Sequence, residues 1–481
     1  SKRYNKWRWW GYNVARKLHL INEDNKGNVQ RFTNNLKALL TKQGNNIFQG
    51  LNLRYFGPAN GHDVLSLVRI FNEIKDFEGP KVLHIITKKG KGYEPAENDQ
   101  TTWHAPGEFL VETGERLTVK GERQGPLWQE VFGEQLLALA KEDERIVGIT
   151  PAMPSGCSMN IMQKEMPNRV FDVGIAEGHA VTFSAGLAKA GMKPFCNIYS
   201  SFLQRAYDNI IHDVALQNLP VIFCLDRGGL VGEDGATHHG TFDIAYLGCI
   251  PNITIATPSD EWELRNMMFT ALQSDTPFAI RYPRGTGRGV EWRDMPFEAI
   301  EVGKARQVRE GKDVAVFAFG PLLADAEQVA EQAQLIGVST AVYDMRFAKP
   351  LDEELILAVA SKFKRIVTLE DGILRGGAGE AVVKLLNDNH ITTPVTTLGI
   401  DDKFVEKRVE GMFESDKGFL WKCVYGEGGP ADLRSTDDWK FNWDQDNGIN
   451  YTYEFKGDEE DFAAAKEQLK DFILKLSGKG E

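Results

Sequence analysis

The sequence has few cysteines, and none of them is paired with a near neighbour. Its 481 residues include five cysteines and no C-x-x-C motif, which argues against a disulfide framework or a zinc site and indicates reduced core thiols in a cytosol. It also lacks an uninterrupted apolar run of about 18 residues and a signal-peptide pattern, which argues against a membrane span and against secretion. The first residue is Ser1 instead of methionine, which is typical of a fragment, a processed product or a trimmed chain.

Positive charge is in deficit as well. The formal net charge is −12, which argues against nucleic acid or an anionic membrane as the main partner. Hydrophobic residues make up 42% of the chain and charged residues 26%. This is an ordinary globular composition, and the length predicts about three domains.

What the sequence does contain is an alternation of strand and helix patterns. From residue 146 to residue 283, short apolar runs are separated by helical segments, which predicts a mostly parallel sheet with helices on both faces. A second unit of this kind follows from Val314, and the predicted boundary is the segment RGTGRGVEWRDMP. Earlier, KVLHIIT predicts a buried parallel strand. The end of the chain predicts a hairpin around Asn447-Gly448 and then a capped helix.

Polar groups cluster directly after the predicted strands. In open α/β sheets, ligands bind beyond the carboxyl ends of the strands. The groups found there are Glu177 with His179, then Tyr199, Phe202 and Arg205, then the glycine-rich loop 226–243, then Arg281 and Arg284. Taken alone, Glu177 has a simpler explanation, because a glutamate in the first turn of a helix is favoured by the helix dipole.

Long motifs at these positions carry a resemblance to a known family. The segments DVGIAEGHAVTFSAGLA, IYSSFLQRAYDNIIHDVALQ, DRGGLVGEDGATHHGTFD and RYPRG resemble the pyrimidine-binding domain of the 1-deoxy-D-xylulose-5-phosphate synthase family. These are thiamine-diphosphate enzymes of the transketolase superfamily. The segments YFGPANGHD, HIITKKGKGYEPAE and WHAPG resemble the end of the family's first domain, and YDMRFAKPLD with LEDGILRGGAGEA resembles its third.

The resemblance implies an α/β fold: a parallel-sheet thiamine-diphosphate-binding fold with a transketolase-like C-terminal α/β domain. Residues 1–126 would be the remainder of the diphosphate-binding first domain, and residues 127–290 the pyrimidine-binding domain. Residues 300–412 would be the C-terminal-like domain, and residues 413–481 a tail that matches no recognised family.

The resemblance also implies roles for residues near the cofactor. Glu177 would hydrogen-bond the aminopyrimidine ring of thiamine diphosphate, in a dry pocket where such a bond is strong. Phe202 would stack on the same ring. Tyr199, Asp234 and His238 would line the reaction centre.

Further residues would contact substrate. His104 would reach the substrate region from the first domain. Arg227 and Arg281 would bind the phosphate of glyceraldehyde 3-phosphate, because guanidinium forks suit phosphate oxygens. Arg205 would belong to the same substrate-binding group.

The sequence departs from the family in one respect that matters for the cofactor. Such enzymes hold the diphosphate and its magnesium with a Gly-Asp-Gly segment and a later asparagine, and they bring another histidine from the amino-terminal region. None of these is in this sequence, so the chain alone is predicted to bind thiamine diphosphate weakly. Asn60, where aspartate is usual, and Gly178 and His239, where glutamines are common, are interpreted as variation within a subgroup.

The leading interpretation is an enzyme that makes 1-deoxy-D-xylulose 5-phosphate, an isoprenoid and thiamine precursor, from pyruvate and glyceraldehyde 3-phosphate, as a cytoplasmic homodimer. One alternative is the β-type subunit of a two-chain 2-oxo acid dehydrogenase or split transketolase. The stretch from GPANGHD to WHAPG argues against that alternative, because it belongs to a first domain. A second alternative is a catalytically inactive fragment that dimerises.

Overall fold

The structure is a computed structural model that describes residues 47–51, 53–104, 106, 109–116, 125–405, 439–440 and 454–455. The chain divides into two units, residues 1–118 and residues 119–481. Three features considered in the sequence lie outside the described residues: the turn at Asn447-Gly448, the helix after it, and the surroundings of Cys423.

The described part of the first unit contains two parallel strands. Its elements are α1 (Ile47–Gly50), β1 (Arg54–Asn60), α2 (Val64–Ile74), β2 (Lys81–Ile86) and α3 (Glu94–Asn98). β1 and β2 pair in parallel, which confirms the predicted strand and its type. The prediction that β2 is buried is wrong, since Ile85 and Ile86 are 44% and 57% exposed. Within the described part of this unit, a two-stranded sheet and short helices do not cover both faces of the strand.

In the second unit, the described residues form two larger sheets. Its main strands are β3 (Ile146–Thr150), β4 (Val170–Asp172), β5 (Lys193–Tyr199), β6 (Ile222–Asp226), β7 (Thr254–Ala256), β8 (Phe278–Arg281), β9 (Arg306–Arg309), β10 (Val314–Ala318), β11 (Thr340–Asp344), β12 (Phe347–Lys349), β13 (Arg365–Ile373) and β14 (Val395–Ile400). One sheet has the order β12-β7-β8-β6-β5-β3-β4, and the other has the order β14-β13-β10-β11-β9. The pairs are parallel except β12 with β7 and β9 with β11. The predicted α/β fold is confirmed.

Helices alternate with these strands. They are α4 (Trp128–Glu142), α5 (Asn160–Glu165), α6 (Glu177–Lys189), α7 (Ser200–Leu203), α8 (Tyr207–Asn209), α9 (Asp243–Gly248), α10 (Glu261–Leu272), α11 (Leu323–Leu335), α12 (Glu353–Ala360) and α13 (Ala378–Asp388). Side-chain caps fix the start of two of them. The Asp260 carboxylate accepts from the Glu263 amide at 2.8 Å before α10, and the Asp352 carboxylate accepts from the Leu355 amide at 3.1 Å before α12. Such caps satisfy amides that a helix leaves unpaired.

The apolar spacing of SFLQRAYDNIIHDVALQ, residues 201–217, predicts a single helix, and that prediction is wrong. The chain there forms α7, a 3₁₀ turn (Gln204–Ala206), α8 and a π-helical turn (Ile210–Ala215). Within one or two turns, the spacing of apolar residues does not distinguish these pitches from one α-helix. This π-helical turn is bonded to α6, because the Asp213 carboxylate accepts from Thr182 Oγ1 at 2.5 Å.

β12 returns the chain from the five-stranded sheet to the seven-stranded one. It directly follows β11 of the five-stranded sheet in the chain, yet it pairs antiparallel with β7 of the seven-stranded sheet, with Phe347 opposite Ala256. Phe347 is fully buried and its ring meets Phe278 edge-on, with centroids 6.4 Å apart. The Thr257 amide adds a hydrogen bond to the Arg346 carbonyl at 2.7 Å.

The described cysteines are free thiols. Cys157, Cys196 and Cys224 are buried, as predicted for core residues, and burial raises the pKa of Cys157 and of Cys196 to about 12. Cys249 is exposed, which corrects the prediction for that residue, because it follows α9 at the surface. None of the helices described is long and apolar enough to cross a membrane. Near the end of the chain, β15 (Trp439–Lys440) and β16 (Glu454–Phe455) pair antiparallel.

Candidate active site

The carboxyl ends of the parallel strands converge on one edge of the seven-stranded sheet. Asp172, Tyr199, Asp226 and Arg281 are the last residues of β4, β5, β6 and β8. Tyr199 lies opposite Asp226 in the β5–β6 register, and Leu225 lies opposite Arg281 in the β6–β8 register. The polar groups predicted for the site therefore follow strands of the same sheet edge.

Glu177 is buried at the first position of α6. Its Oε1 atom lies 3.6 Å from Nη1 of Arg205, whose side chain is 60% exposed. The Arg205 guanidinium also lies over the Phe202 ring, with its central carbon 5.0 Å from the ring centroid. One planar group of N–H donors thus contacts both a buried carboxylate and an aromatic face.

Aromatic rings surround Phe202. The Tyr199 ring stacks on it with centroids 5.4 Å apart, and the His238 ring is tilted at 5.2 Å. The Arg227 guanidinium lies over Tyr199 at 3.9 Å from the ring centroid. Burial raises the pKa of Tyr199, so its phenol keeps its proton at neutral pH. The structure therefore brings Tyr199, Phe202, Arg227 and His238 together, and Arg205 connects this group to Glu177.

Arg227 is held tightly by its neighbour. Its φ is +61°, uncommon for a residue other than glycine, and Asp226 Oδ1 accepts from its backbone amide at 2.7 Å. Asp226 Oδ2 lies 2.6 Å from Arg227 Nη1, which also donates to the Gly156 carbonyl at 3.0 Å. Burial raises the pKa of Asp226 to about 6, although Arg227 opposes this. The Nε atom of Arg227 is buried and has no hydrogen-bond acceptor among the described residues.

The loop 226–243 is closed at its base. The Gly229 amide donates to the Gly240 carbonyl at 2.7 Å, and the Gly240 amide donates to the Gly229 carbonyl at 2.8 Å. Inside the loop, His239 Nδ1 accepts from the Val231 amide at 3.0 Å. Burial lowers the pKa of His239. His239 therefore supports the loop as a neutral residue at pH 7.

Asp234 pairs with an arginine to which the sequence analysis gave no role. Arg284 Nε lies 3.3 Å from Asp234 Oδ2, and the Arg284 side chain is 34% exposed. Its Nη1 atom donates to the Val231 carbonyl at 3.2 Å. Arg284 lies three residues beyond the end of β8, outside the sheet. That position in the sequence is the signal that could have identified it as a residue of the candidate site.

Arg281 does not fit the role predicted for it. It is 2% exposed, and its Nε donates to both oxygens of Asp243 at 2.8 and 2.9 Å. Its Nη1 donates to Asp371 Oδ1 at 2.5 Å, and Nη2 donates to the Gly240 carbonyl at 3.2 Å. Burial alone would lower the pKa of Arg281, but the two aspartates raise it. A phosphate would have to displace two buried carboxylates, so the prediction of a phosphate contact at Arg281 is corrected.

His104 belongs to the first unit. It ends a 3₁₀ turn (Thr102–His104), and its Nδ1 atom lies 2.7 Å from Nζ of Lys89. The contact with Lys89 lies within the first unit. The predicted contact of His104 with substrate stays a prediction. Among the residues that the structure describes, no group of three or more histidine, cysteine, aspartate or glutamate side chains could hold a metal ion.

Comparison with protein families gives three matches in chain order. Residues 1–87 match the model described as 1-deoxy-D-xylulose-5-phosphate synthase. Residues 124–289 match the transketolase pyrimidine binding domain, and residues 303–416 match the transketolase C-terminal domain. The buried carboxylate and the aromatic rings described above lie in the second of these matches.

Curated relatives are similar over most of the chain. The 1-deoxy-D-xylulose-5-phosphate synthases of Parabacteroides distasonis and Bacteroides thetaiotaomicron are each 55% identical over 84% of this chain, which spans 64% and 63% of their lengths. Among solved structures, a split gene transketolase, described as an inactive beta4 tetramer, is 28% identical with a TM-score of 0.55. That match covers 63% of this chain and 97% of the other. A Campylobacter jejuni transketolase, 17% identical with a TM-score of 0.51 over 80% and 69% of the two chains, shares the fold.

Proposed function

We propose that this chain, which is 55% identical to a curated 1-deoxy-D-xylulose-5-phosphate synthase over 84% of its length and matches the synthase model over residues 1–87, takes part in joining two carbons of pyruvate to glyceraldehyde 3-phosphate, with release of carbon dioxide. The chain spans less than two thirds of its curated relatives, so the proposal concerns the part of the site that this chain supplies. The observation that carries it is the buried carboxylate of Glu177 next to the arginine-covered ring of Phe202.

The side chains at this edge fit the aminopyrimidine end of thiamine diphosphate. Arg205 already makes the contacts that such a ring requires, since its guanidinium is planar, carries N–H donors, faces Glu177 and lies over Phe202. An aminopyrimidine has the same planarity and also carries N–H donors. Glu177 would therefore accept its hydrogen bond, and Phe202 would stack on its face. For the diphosphate and its Mg²⁺, the described residues supply no matching metal ligands.

The remaining residues would control protons and water near that ring. When bound, thiamine diphosphate supplies a carbon nucleophile and an electron sink. Glu177, enclosed at the start of α6, would share a proton with a ring nitrogen, a role for which a buried carboxylate is suited. Tyr199 keeps its own proton and donates it as a hydrogen bond. His238, 5.2 Å from Phe202 between ring centroids, would exchange a proton with substrate.

We assign the substrate phosphate to Arg284 and Arg227 in place of Arg281. Arg284 is partly exposed, and its pair with Asp234 at 3.3 Å is one that an incoming phosphate can exchange. Arg227 retains one buried N–H donor at Nε with no acceptor among the described residues. Arginines bind phosphate through paired N–H groups, and these two have donors to offer, whereas the Arg281 guanidinium is enclosed by two carboxylates.

The test is synthesis of 1-deoxy-D-xylulose 5-phosphate followed by mass spectrometry. The chain is supplied with both substrates, thiamine diphosphate and Mg²⁺, first alone and then with the part of the Parabacteroides distasonis relative that it does not span. Product is expected with the added part, and Glu177→Gln should lower its rate by at least about 100-fold. The matched control is Glu261→Gln, another buried first residue of a helix, which should keep the parent rate. Near-normal turnover of Glu177→Gln would leave Glu177 as a helix-dipole residue only.

A second candidate is a subunit of a split transketolase. It is favoured by the match to the split gene transketolase, of which 97% is covered. The choice between the two depends on the donor substrate. Formation of product from a ketose phosphate and not from pyruvate would support the second candidate and contradict the first.

The proposal includes Mg²⁺ as the second cofactor, a homodimer and a cytoplasmic location. These follow from the family and from the chemistry of the sequence. Light scattering after gel filtration tests the dimer directly, and a monomer at micromolar concentration would contradict it. Titration calorimetry with thiamine diphosphate, with and without Mg²⁺, tests whether the metal contributes to binding.

A further inference from the structure

Arg281 connects three parts of the second unit. From the end of β8 it binds Asp243, the first residue of α9, and Asp371 of β13 in the five-stranded sheet. It also binds the Gly240 carbonyl at the base of the loop 226–243. Asp243 extends the connection, because its Oδ2 accepts from Ser200 Oγ at 2.8 Å, and Ser200 directly follows Tyr199.

The base of the loop is packed against Asp371. Gly229 has a φ of +75°, and a Cβ atom there would overlap Asp371 Oδ2, so only glycine fits. The Gly240 carbonyl accepts from the Gly229 amide and from Arg281 Nη2 at once. One residue further along, the Thr241 carbonyl accepts from the Ile373 amide at 2.8 Å.

The loop held in this way carries the candidate catalytic residues. Asp234 and His238 lie between Gly229 and Gly240, whose two hydrogen bonds close the loop. The position of its base therefore depends on a guanidinium that is itself fixed by a carboxylate of the other sheet.

We propose that Asp371 and Arg281 are positioning residues through which the C-terminal sheet sets the placement of the loop that bears Asp234 and His238. Neither residue is exposed to a substrate: Arg281 is buried, and Asp371 contacts the loop base. The consequence for catalysis rests on the proposed function, whereas the placement of the loop can be measured without it.

The experiment compares Asp371→Asn with Asp344→Asn by hydrogen exchange and mass spectrometry on peptides that cover residues 228–241. Asp344 is the matched control, because it is also a buried aspartate of the five-stranded sheet that bonds to a segment of the seven-stranded side: it accepts from Ser259 Oγ, three residues after the end of β7, at 2.8 Å. Asp371→Asn weakens a charge-assisted hydrogen bond, so exchange at the Gly229 and Gly240 amides should become at least about 10-fold faster. In Asp344→Asn, exchange there should stay within about 2-fold of the parent.

Faster exchange in both variants, or in neither, would overturn the proposal, because a general weakening of the contact between the sheets affects them alike. Arg281→Lys serves as the second variant, since it keeps the positive charge and loses the fork. Arg281→Lys should also speed exchange at the Gly229 and Gly240 amides. Exchange as slow as in the parent protein would equally overturn the proposal. In the reconstituted enzyme, Asp371→Asn should lower kcat more than it raises KM for pyruvate. If the loop exchanges faster but no enzyme activity is found, the proposed function fails and the structural proposal stands.

Discussion

Replacing Arg281 by alanine should destabilise the protein far more than replacing Arg284. Arg281→Ala leaves Asp243 and Asp371 buried without their cation, and breaking a buried ion pair in this way costs about 3–5 kcal/mol. Arg284 has one longer ion pair and a partly exposed side chain, so Arg284→Ala should cost at most about 1 kcal/mol. A domain of this size loses about 2–4 °C in melting temperature per kcal/mol. The melting temperature should therefore fall by about 6–20 °C in Arg281→Ala and by less than about 4 °C in Arg284→Ala.

The assay is urea unfolding followed by tryptophan fluorescence, with thermal melts in parallel. A useful control adds Asp243→Asn and Asp371→Asn to Arg281→Ala, because removing the uncompensated charges should recover part of the lost free energy of unfolding. The buried position of the Arg281 guanidinium would be refuted if the free energy of unfolding of Arg281→Ala lay within about 1 kcal/mol of the parent value. It would also be refuted if Arg284→Ala lost as much free energy of unfolding as Arg281→Ala.

Three further predictions concern a carboxylate, a guanidinium and a thiol. Burial raises the pKa of Glu370 to about 7, so the folded state holds this proton more tightly than the unfolded state and stability falls as pH rises from 4.5 to 7. Glu370→Gln should flatten the plot of unfolding free energy against pH by up to about 1.4 kcal/mol per pH unit. An unchanged slope would contradict this. Arg205→Ala should leave thiamine diphosphate affinity unchanged or higher by calorimetry, since Arg205 contacts the same groups as the ring, whereas a large loss would make Arg205 a cofactor ligand. Among the described cysteines, Cys249 should react with a thiol reagent before unfolding, and mass spectrometry that finds Cys157, Cys196 or Cys224 labelled first would contradict their burial.

The strands of the second unit were predictable because parallel strands covered on both faces have continuous apolar sequences. IVGIT is such a run, and all five residues of β3 are buried. The position of the candidate site was predictable for a related reason, since polar residues directly after such runs lie at one edge of the sheet. Glu177, Tyr199, Phe202 and His238 were found together on that basis.

The division of roles between Arg281 and Arg284 could not be predicted in the same way. They stand three residues apart in RYPR. Their environments differ because β8 ends at Arg281, so that Arg281 lies in the sheet and Arg284 beyond it. The partner that fixes Arg281 is Asp371, 90 residues later in the chain, and no local pattern reports so distant a contact. The exposure of Cys249 likewise depends on tertiary packing.

The strand β12 has a consequence for how this protein can be divided. A fragment that stops at the boundary near residue 290 would lose β12 and leave β7 as an unpaired edge, and exposed edges of this kind recruit strands from other molecules. The complementary fragment would carry Phe347, fully buried in the intact chain, with no sheet to cover it. Separate expression of the two parts should therefore give aggregation-prone material. A gene cut after residue 349 keeps the seven-stranded sheet whole but separates β10 from β13 in the five-stranded sheet, so neither cut leaves both sheets complete.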